Sequence, residues 1–257
     1  MPLPRILVIA GSDSGGGAGI QADIKTITML GGHAMTAVTA ITAQNTLGVQ
    51  GVHPVPVAMV ARQVRSVLDD LGADAVKIGM IGSAATVHAV ADVLEPLGLP
   101  LVFDPVMIAT SGSVLADDET IAAFARLMRL ATVVTPNLPE LAALGGEAAV
   151  RASGAAVLVK GGHGEGPVID DRLVAADGGE TRWTHARIET RHTHGTGCTL
   201  ASGIAAGLAA GLSLERACDR AIAFVQAALA AAPGLGGGHG PMGHALGTVP
   251  FDLTERG

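Results

Sequence analysis

The sequence predicts a three-layer α/β fold in which a mostly parallel central sheet is flanked by helices on both faces. Short apolar runs such as Arg5-Ile6-Leu7-Val8-Ile9-Ala10 do not alternate with polar residues, as strands buried on both faces require. These runs take turns with helical periodicity along the chain, which is the pattern of βαβ units. The composition is 49% hydrophobic but only 2% aromatic with 36 glycines, so the layers are built from Ala, Val, Leu and Ile on closely approaching backbones. At 257 residues a single domain is expected, since α/β folds of this length commonly share one core.

Taken in order, the strand at residues 5–10 ends in Gly11 and a loop, Ser12 to Gly19, before the helical spacing of Ile20, Ile24, Ile27 and Leu30. Residues 35–44 alternate small polar and apolar types as a half-buried strand does, leaving Gln44 at its end before the turn Asn45-Thr46-Leu47-Gly48. Helices are predicted over about 58–71, 84–94 and 117–130, and strands over 75–79, 101–103 and 131–135. A short helix follows from Asn137, then the strand 156–159 leading into Lys160-Gly161-Gly162, then a hairpin of 168–175 with 181–188. Leu200, Ile204, Leu208 and Leu212 mark a helix from near Gly197, with Gly203, Gly207 and Gly211 on a second face suited to close backbone contact. The last helix covers 213–231 with Cys218 on its buried side, and the Gly/Pro-rich tail, 233–257, is expected to be loosely ordered. Ligands of open α/β sheets sit beyond the carboxyl ends of the strands, so Gly11, Gln44, Met80, Asp104 and Lys160 should share one rim.

The formal net charge is −7 with no Lys/Arg cluster, which argues against nucleic acid or an anionic membrane surface as partner. Two cysteines make no disulfide framework, and with no secretory signal pattern the expected address is the cytosol. The uncharged run 197–214 is Ala/Gly-rich and followed at once by Glu215, Arg216, Asp219 and Arg220, so it reads as a buried soluble helix and not a membrane span.

The stretch Thr193-His194-Gly195-Thr196-Gly197-Cys198-Thr199 is the candidate centre of the chemistry. A glycine-broken turn opening into a helix offers unpaired N–H groups and the positive end of the helix dipole, with no side chain to block an anion. Cys198 falls in that first turn, where the same field would lower a thiol's pKa and suit it to act as a base or nucleophile; a buried structural cysteine is the alternative. Asn137-Leu138-Pro139-Glu140 has the spacing of a capping box, and Glu140 near Asp104 could equally organise a hydrated Mg²⁺. Lys160, at a strand end, could hold transferring phosphates. The P-loop motif fails for lack of Gly-Lys-Ser/Thr, neither Gly17/Gly19/Ala22 nor Gly238/Gly240/Gly243 has the context of a dinucleotide fingerprint, and His192, His194 and Cys198 lack a second pair for zinc.

The segments Gly11 to Asp23, Thr42-Ala43-Gln44-Asn45-Thr46, Lys77-Ile78-Gly79-Met80, Asp104-Pro105-Val106-Met107, Thr135 to Glu140, Lys160-Gly161-Gly162-His163 and Thr193 to Thr199 resemble the successive signatures of the hydroxymethylpyrimidine/phosphomethylpyrimidine kinases of thiamine biosynthesis, a ribokinase-like family. The resemblance runs co-linearly over nearly the whole chain. It implies phosphorylation of 4-amino-5-hydroxymethyl-2-methylpyrimidine and of its monophosphate, with ATP and Mg²⁺ as cofactors and a homodimer as the assembly. It further implies an anion hole at Gly195, Thr196 and Gly197, Cys198 as base, and Gln44, Gly11, Asp23, Met80 and Val106 around the pyrimidine. Asp104, Asn137, Thr196 and Lys160 would serve ATP, with Glu140 and Asp104 on the metal through water. The primary amide of Gln44 offers a donor and an acceptor side by side, matching an aminopyrimidine edge. Pyridoxine or pyridoxal kinase is the competing activity, and a catalytically silent precursor sensor the competing class.

Overall fold

In the computed structural model the described residues are 3–108, 112, 114–164 and 166–247. All nine strands join one sheet in the order β3-β2-β1-β4-β5-β6-β7-β8-β9. They are β1 (Arg5–Ser12), β2 (His33–Asn45), β3 (Gly48–Pro54), β4 (Ala75–Ile78), β5 (Leu101–Phe103), β6 (Val133–Val134), β7 (Ala156–Val159), β8 (Val168–Val174) and β9 (Glu180–Ala186). The six central strands, β2 to β7 in space, run parallel; β3 at one edge runs antiparallel to β2, and at the other edge β8 runs antiparallel to β7 and β9 antiparallel to β8. The helices are α1 (Gly19–Met29), α2 (Val57–Asp70), α3 (Ala84–Leu94), α4 (Asp118–Leu130), α5 (Leu138–Ala143), α6 (Glu147–Ala152), α7 (Thr196–Ala209) and α8 (Leu214–Ala230).

The unalternating strands are explained by what lies on each side of them. Leu7 and Ile9 of β1 belong to one buried cluster with Val60 and Val64 of α2, Val87 and Val90 of α3, and Phe124 and Leu127 of α4. Ile6, Val8 and Ala10 pack on the opposite face with Ile27 of α1, Ile204 of α7 and Ala221 of α8. Every one of these side chains is essentially excluded from water. At about 25 cal/mol per Å² of apolar surface, that two-sided burial is the main force ordering the three layers.

The small-residue composition has its clearest use between α7 and α8. A Cβ on Gly203 would stand 2.8 Å from the Cβ of Ala221, and one on Gly207 would stand 2.7 Å from that of Ala217, so the two backbones approach to a spacing only glycine allows. Gly211 takes no part in that contact; with φ +80 it stands in the turn beyond α7, which ends at Ala209, short of the predicted Leu212. Two elements had no sequence signal. Strand β3 is exposed along nearly its whole length and so shows no apolar face, and α6 is a single exposed turn and a half anchored by Val150.

The expectation of a loose tail is corrected for residues 233–247. Met242 and His244 are buried, Gly240 O accepts from His194 N at 3.2 Å, and the Gly243 N–H donates to Ala228 O at 2.9 Å. Side chains at Gly238, Gly240 and Gly243 would collide with Thr46 O, the His192 ring and Ala231 O, so these glycines serve tight packing. Residues 248–257 lie outside the described ones. No helix among the described residues is long and apolar enough to cross a membrane.

Candidate active site

Because the central strands are parallel, their carboxyl ends open on one side of the sheet. Gly11 and Ser12 close β1, Gln44 stands at the end of β2, and Met80, Asp104 and Lys160 follow β4, β5 and β7. Over this rim α7 lays its N-terminus. Gly195, with φ +88, caps that helix, and a Cβ there would collide with the carbonyl oxygen of Gly17, so the turn and the glycine loop after β1 are locked together by a glycine-only contact. The position a Cβ of Gly197 would take is 3.3 Å from Lys160 Nζ and 3.5 Å from Asp104 Oδ2. The amide-rich helix start therefore meets the lysine and the carboxylate directly, and no side chain of the turn stands between them.

Lys160 Nζ donates to Asp104 Oδ1 at 2.9 Å and lies 3.9 Å from Glu140 Oε2, while Thr135 Oγ1 donates to the same Asp104 oxygen at 3.1 Å. Burial works against the Lys160 charge, but Asp104 and Glu140 outweigh it and raise its pKa, so the ammonium persists. Burial raises the Glu140 carboxyl, with Lys160 pulling the other way and Asp104 adding to the rise. Both readings of Asn137 and Glu140 meet here. The full capping box forms, with Glu140 N donating to Asn137 Oδ1 at 2.9 Å and Asn137 N to Glu140 Oε2 at 2.8 Å. The cap holds Glu140 on the rim beside Lys160.

Cys198 is partly exposed at the same place. The sequence predicts a lowered thiol pKa; the structure reverses the sign. Burial pushes the thiol up to about 11 and Asp23 and Asp104 add to the rise, while Lys77, Lys160 and a backbone N–H of Gly19 oppose it. The helix dipole is outweighed first by burial and then by the two nearby carboxylates. Asp23 also departs from expectation. Its carboxylate has no exposure at all: Lys77 Nζ donates to both of its oxygens at 2.9 and 3.0 Å, and Ser202 Oγ donates at 2.6 Å. Asp23 thus lies beneath the wall of the site, turned toward the sheet. Gly11 and Met80 do meet, since a Cβ on Gly11 would collide with Met80 Cε, and Val106 is partly exposed after Asp104.

On the other side of the turn, His194 Nε2 lies 2.9 Å from Asp13 Oδ2 and 3.2 Å from Gln44 Nε2. Asp13 also accepts from the N–H groups of Gly15, Gly17 and Ala18, and with His194 these hold its carboxyl below the usual range although burial pushes it up. Thr199, next to Cys198, pairs its hydroxyl with His244 Nε2 at 2.9 Å. Asp13, His194, Lys77, Ser202 and His244 escaped the sequence reading as site residues. Two carried signals: an aspartate followed by Ser-Gly-Gly is an Asx-turn pattern, and a lysine inside Ala75-Val76-Lys77-Ile78 demands a buried counter-charge. The partners could not be named without the fold.

A parallel sheet whose rim presents a helix start, a charged lysine and two acidic residues defines a small-molecule phosphotransferase of the ribokinase-like class. The phosphomethylpyrimidine kinase family model matches residues 13–243. The chain is 48% identical over 256 residues to the hydroxymethylpyrimidine/phosphomethylpyrimidine kinase of Streptomyces coelicolor, with 94% of each covered. Among solved structures, pyridoxal kinase of Bacillus subtilis in an ADP complex superposes with a TM-score of 0.87 at 32% identity, covering 95% of this chain and 98% of that one. Phosphomethylpyrimidine kinase from Clostridium difficile 630 superposes with a TM-score of 0.73 at 35% identity, covering 88% and 99%. The chain belongs to the phosphomethylpyrimidine kinase family.

Proposed function

We propose that the protein moves the γ-phosphoryl group of ATP to the hydroxymethyl oxygen of 4-amino-5-hydroxymethyl-2-methylpyrimidine, and then a second phosphoryl group onto that monophosphate. The observation that carries this reading is the placement of one turn, Gly195 to Cys198, between two unlike sets of groups. Lys160, Asp104 and Glu140 stand on one side, and Gln44 is reached through His194 on the other. The first set suits phosphates and the second a small heterocycle.

In this reading the backbone amides of Gly195, Thr196 and Gly197 and the ammonium of Lys160 take the transferring phosphates, and Asn137 holds Glu140 in place for them. Among the described residues no three His, Cys, Asp or Glu side chains gather to cage a metal. Asp104 and Glu140 fit an ion that keeps its waters and takes most other ligands from phosphate, and Mg²⁺ bound so would neutralise charge on the β- and γ-oxygens. The Gln44 amide faces the amino group and ring nitrogen of the pyrimidine, and Gly11, Met80 and Val106 supply apolar walls. Cys198 sits closest to the reacting hydroxyl, and its rare thiolate takes the hydroxyl proton as the new O–P bond forms. A loose phosphoryl transfer asks little of a base, so a small thiolate population suffices. We further assign a cytosolic homodimer, to be checked by light scattering.

The pyridoxal kinase reading is favoured by one observation, the superposition on the Bacillus subtilis enzyme at a TM-score of 0.87. A coupled assay of ATP consumption with the pyrimidine, its monophosphate and pyridoxal separates the two, and no consumption with any of them excludes both. Gln44→Ala should lower pyrimidine turnover by roughly 10²-fold or more and pyridoxal turnover far less, because pyridoxal lacks the amino edge whose loss leaves the amide unpaired. Equal losses would remove Gln44 from the assigned role.

A further inference from the structure

The main chain of Gln44 is clamped. Ser14 Oγ donates to Gln44 O at 2.8 Å, and Gln44 N donates back to Ser14 Oγ at 2.8 Å. Its side chain is set by a second pair on the same loop and the catalytic turn. An amide's oxygen and nitrogen have the same shape, so the hydrogen bonds decide which end is which. The Asp13 carboxylate already accepts three backbone N–H groups and can only accept, so His194 Nε2, 2.9 Å from it, must carry the proton. A nitrogen that donates cannot also accept from an NH₂ group. The Gln44 atom 3.2 Å from that nitrogen is therefore the carbonyl oxygen, taking the second half of a shared donor.

We infer that Asp13 and His194 form a positioning pair that fixes the Gln44 amide with its oxygen toward His194 and its NH₂ toward the bound heterocycle. Held this way, the NH₂ donates to a ring nitrogen while the oxygen's second lone pair accepts from an adjacent exocyclic amine. The site then selects a ligand edge with an acceptor beside an amino donor, and an amide free to swap ends selects it poorly. The inference rests on the assignment of Gln44 to the pyrimidine above and adds what orients it. Asp13 and His194 touch no substrate in this arrangement and act only through Gln44.

The test uses the full chain, saturating ATP and two substrates: the aminopyrimidine, and 5-hydroxymethyl-2-methylpyrimidine, which lacks the amine. The quantity read is the ratio of their kcat/KM values. His194→Phe keeps bulk and removes the donor, and should shrink the ratio at least about fivefold, mainly through KM for the aminopyrimidine. His194→Gln, whose amide N–H reaches the same point, should recover most of it. Damage to the turn that is merely structural lowers both substrates alike and leaves the ratio where it was. Should His194→Phe fail to fold by circular dichroism, His194→Asn, too short to reach Gln44, takes its place with the same expected loss. An unchanged ratio in the donor-less variant, with Gln44→Ala still impaired on the aminopyrimidine, overturns the positioning pair alone. A native protein that ignores both pyrimidines overturns the assigned function, and the pair's role with it.

Discussion

Cys198 gives the sharpest measurement, because sequence and structure predict opposite signs for it. The first turn of α7 acting alone would lower the thiol's pKa toward neutral pH, whereas in the folded chain burial, Asp23 and Asp104 carry it up to about 11. At pH 7 the thiolate is then about one part in 10⁴, against a few per cent for a free cysteine. Iodoacetamide reacts with the thiolate, so alkylation at pH 7 should run about two orders of magnitude slower than at an unperturbed thiol of equal exposure. The rate should climb about tenfold per pH unit through pH 10 without levelling off. Mass spectrometry of the intact protein reads this at one site, since Cys218 is fully buried. The same shift has a stability consequence. A thiol whose pKa is higher folded than unfolded stabilises the fold fully below the unfolded value of about 9, and that contribution is lost as pH rises toward 11. A rate that plateaus below pH 9 would refute the balance of charges described here and restore the helix start as the dominant influence.

Three further outcomes follow from the same structure. Lys77→Met strands the Asp23 carboxylate without water or counter-ion and should cost about 3–5 kcal/mol in urea unfolding, while the double change with Asp23→Asn should recover part of it. Gly195→Ala forces a side chain into Gly17 O at φ +88, so turnover should fall about 10²-fold with a clear drop in Tm; an unaffected enzyme would mean the turn tolerates another backbone path. Burial, aided by Lys25, holds His244 neutral with a pKa lowered to about 4, so its contribution is complete above the unfolded value of 6.5 and is lost as pH falls toward 4. Urea midpoints should accordingly drop over that interval, and His244→Gln should flatten part of the drop.

Most of the sheet was legible because its strands are buried on both faces, and an unalternating run such as Ile6 to Ala10 has no other economical explanation. The rim followed from strand direction alone, which is why Gln44, Asp104 and Lys160 could be grouped before any contact was known. What stayed hidden depends on long-range partners. Glycine is the clearest case: the same residue that signals a flexible tail by composition serves, at Gly238, Gly240 and Gly243, to let backbone meet backbone. Likewise the sign at Cys198 was misjudged because a helix start is visible in sequence, whereas the burial of the thiol, and Asp23 from 175 positions earlier in the chain, arrive only with folding. His194 was within the stretch singled out, but its use of one nitrogen for both Asp13 and Gln44 is a property of three separated segments.

The charge balance at the rim also constrains how the proposed nucleotide could enter. Lys160 is committed to Asp104 at 2.9 Å and has Glu140 at 3.9 Å, so an incoming triphosphate meets two acidic groups along with one ammonium. A bare polyanion gains little there, because drawing Lys160 away leaves Asp104 to Thr135 alone and both carboxyl groups facing added negative charge. A divalent cation arriving with the phosphates would reverse the sign of that argument: Asp104 and Glu140 would acquire a partner, and Lys160, whose Nζ lies 3.3 Å from the position a Cβ of Gly197 would take, would be free to meet phosphate oxygens held by the amides of the turn. Asp104 and Glu140 meanwhile keep the buried lysine charged and in place. Glu140 is thus both a helix cap and a rim residue: the capping box fixes the carboxyl group whose oxygen lies 3.9 Å from Lys160.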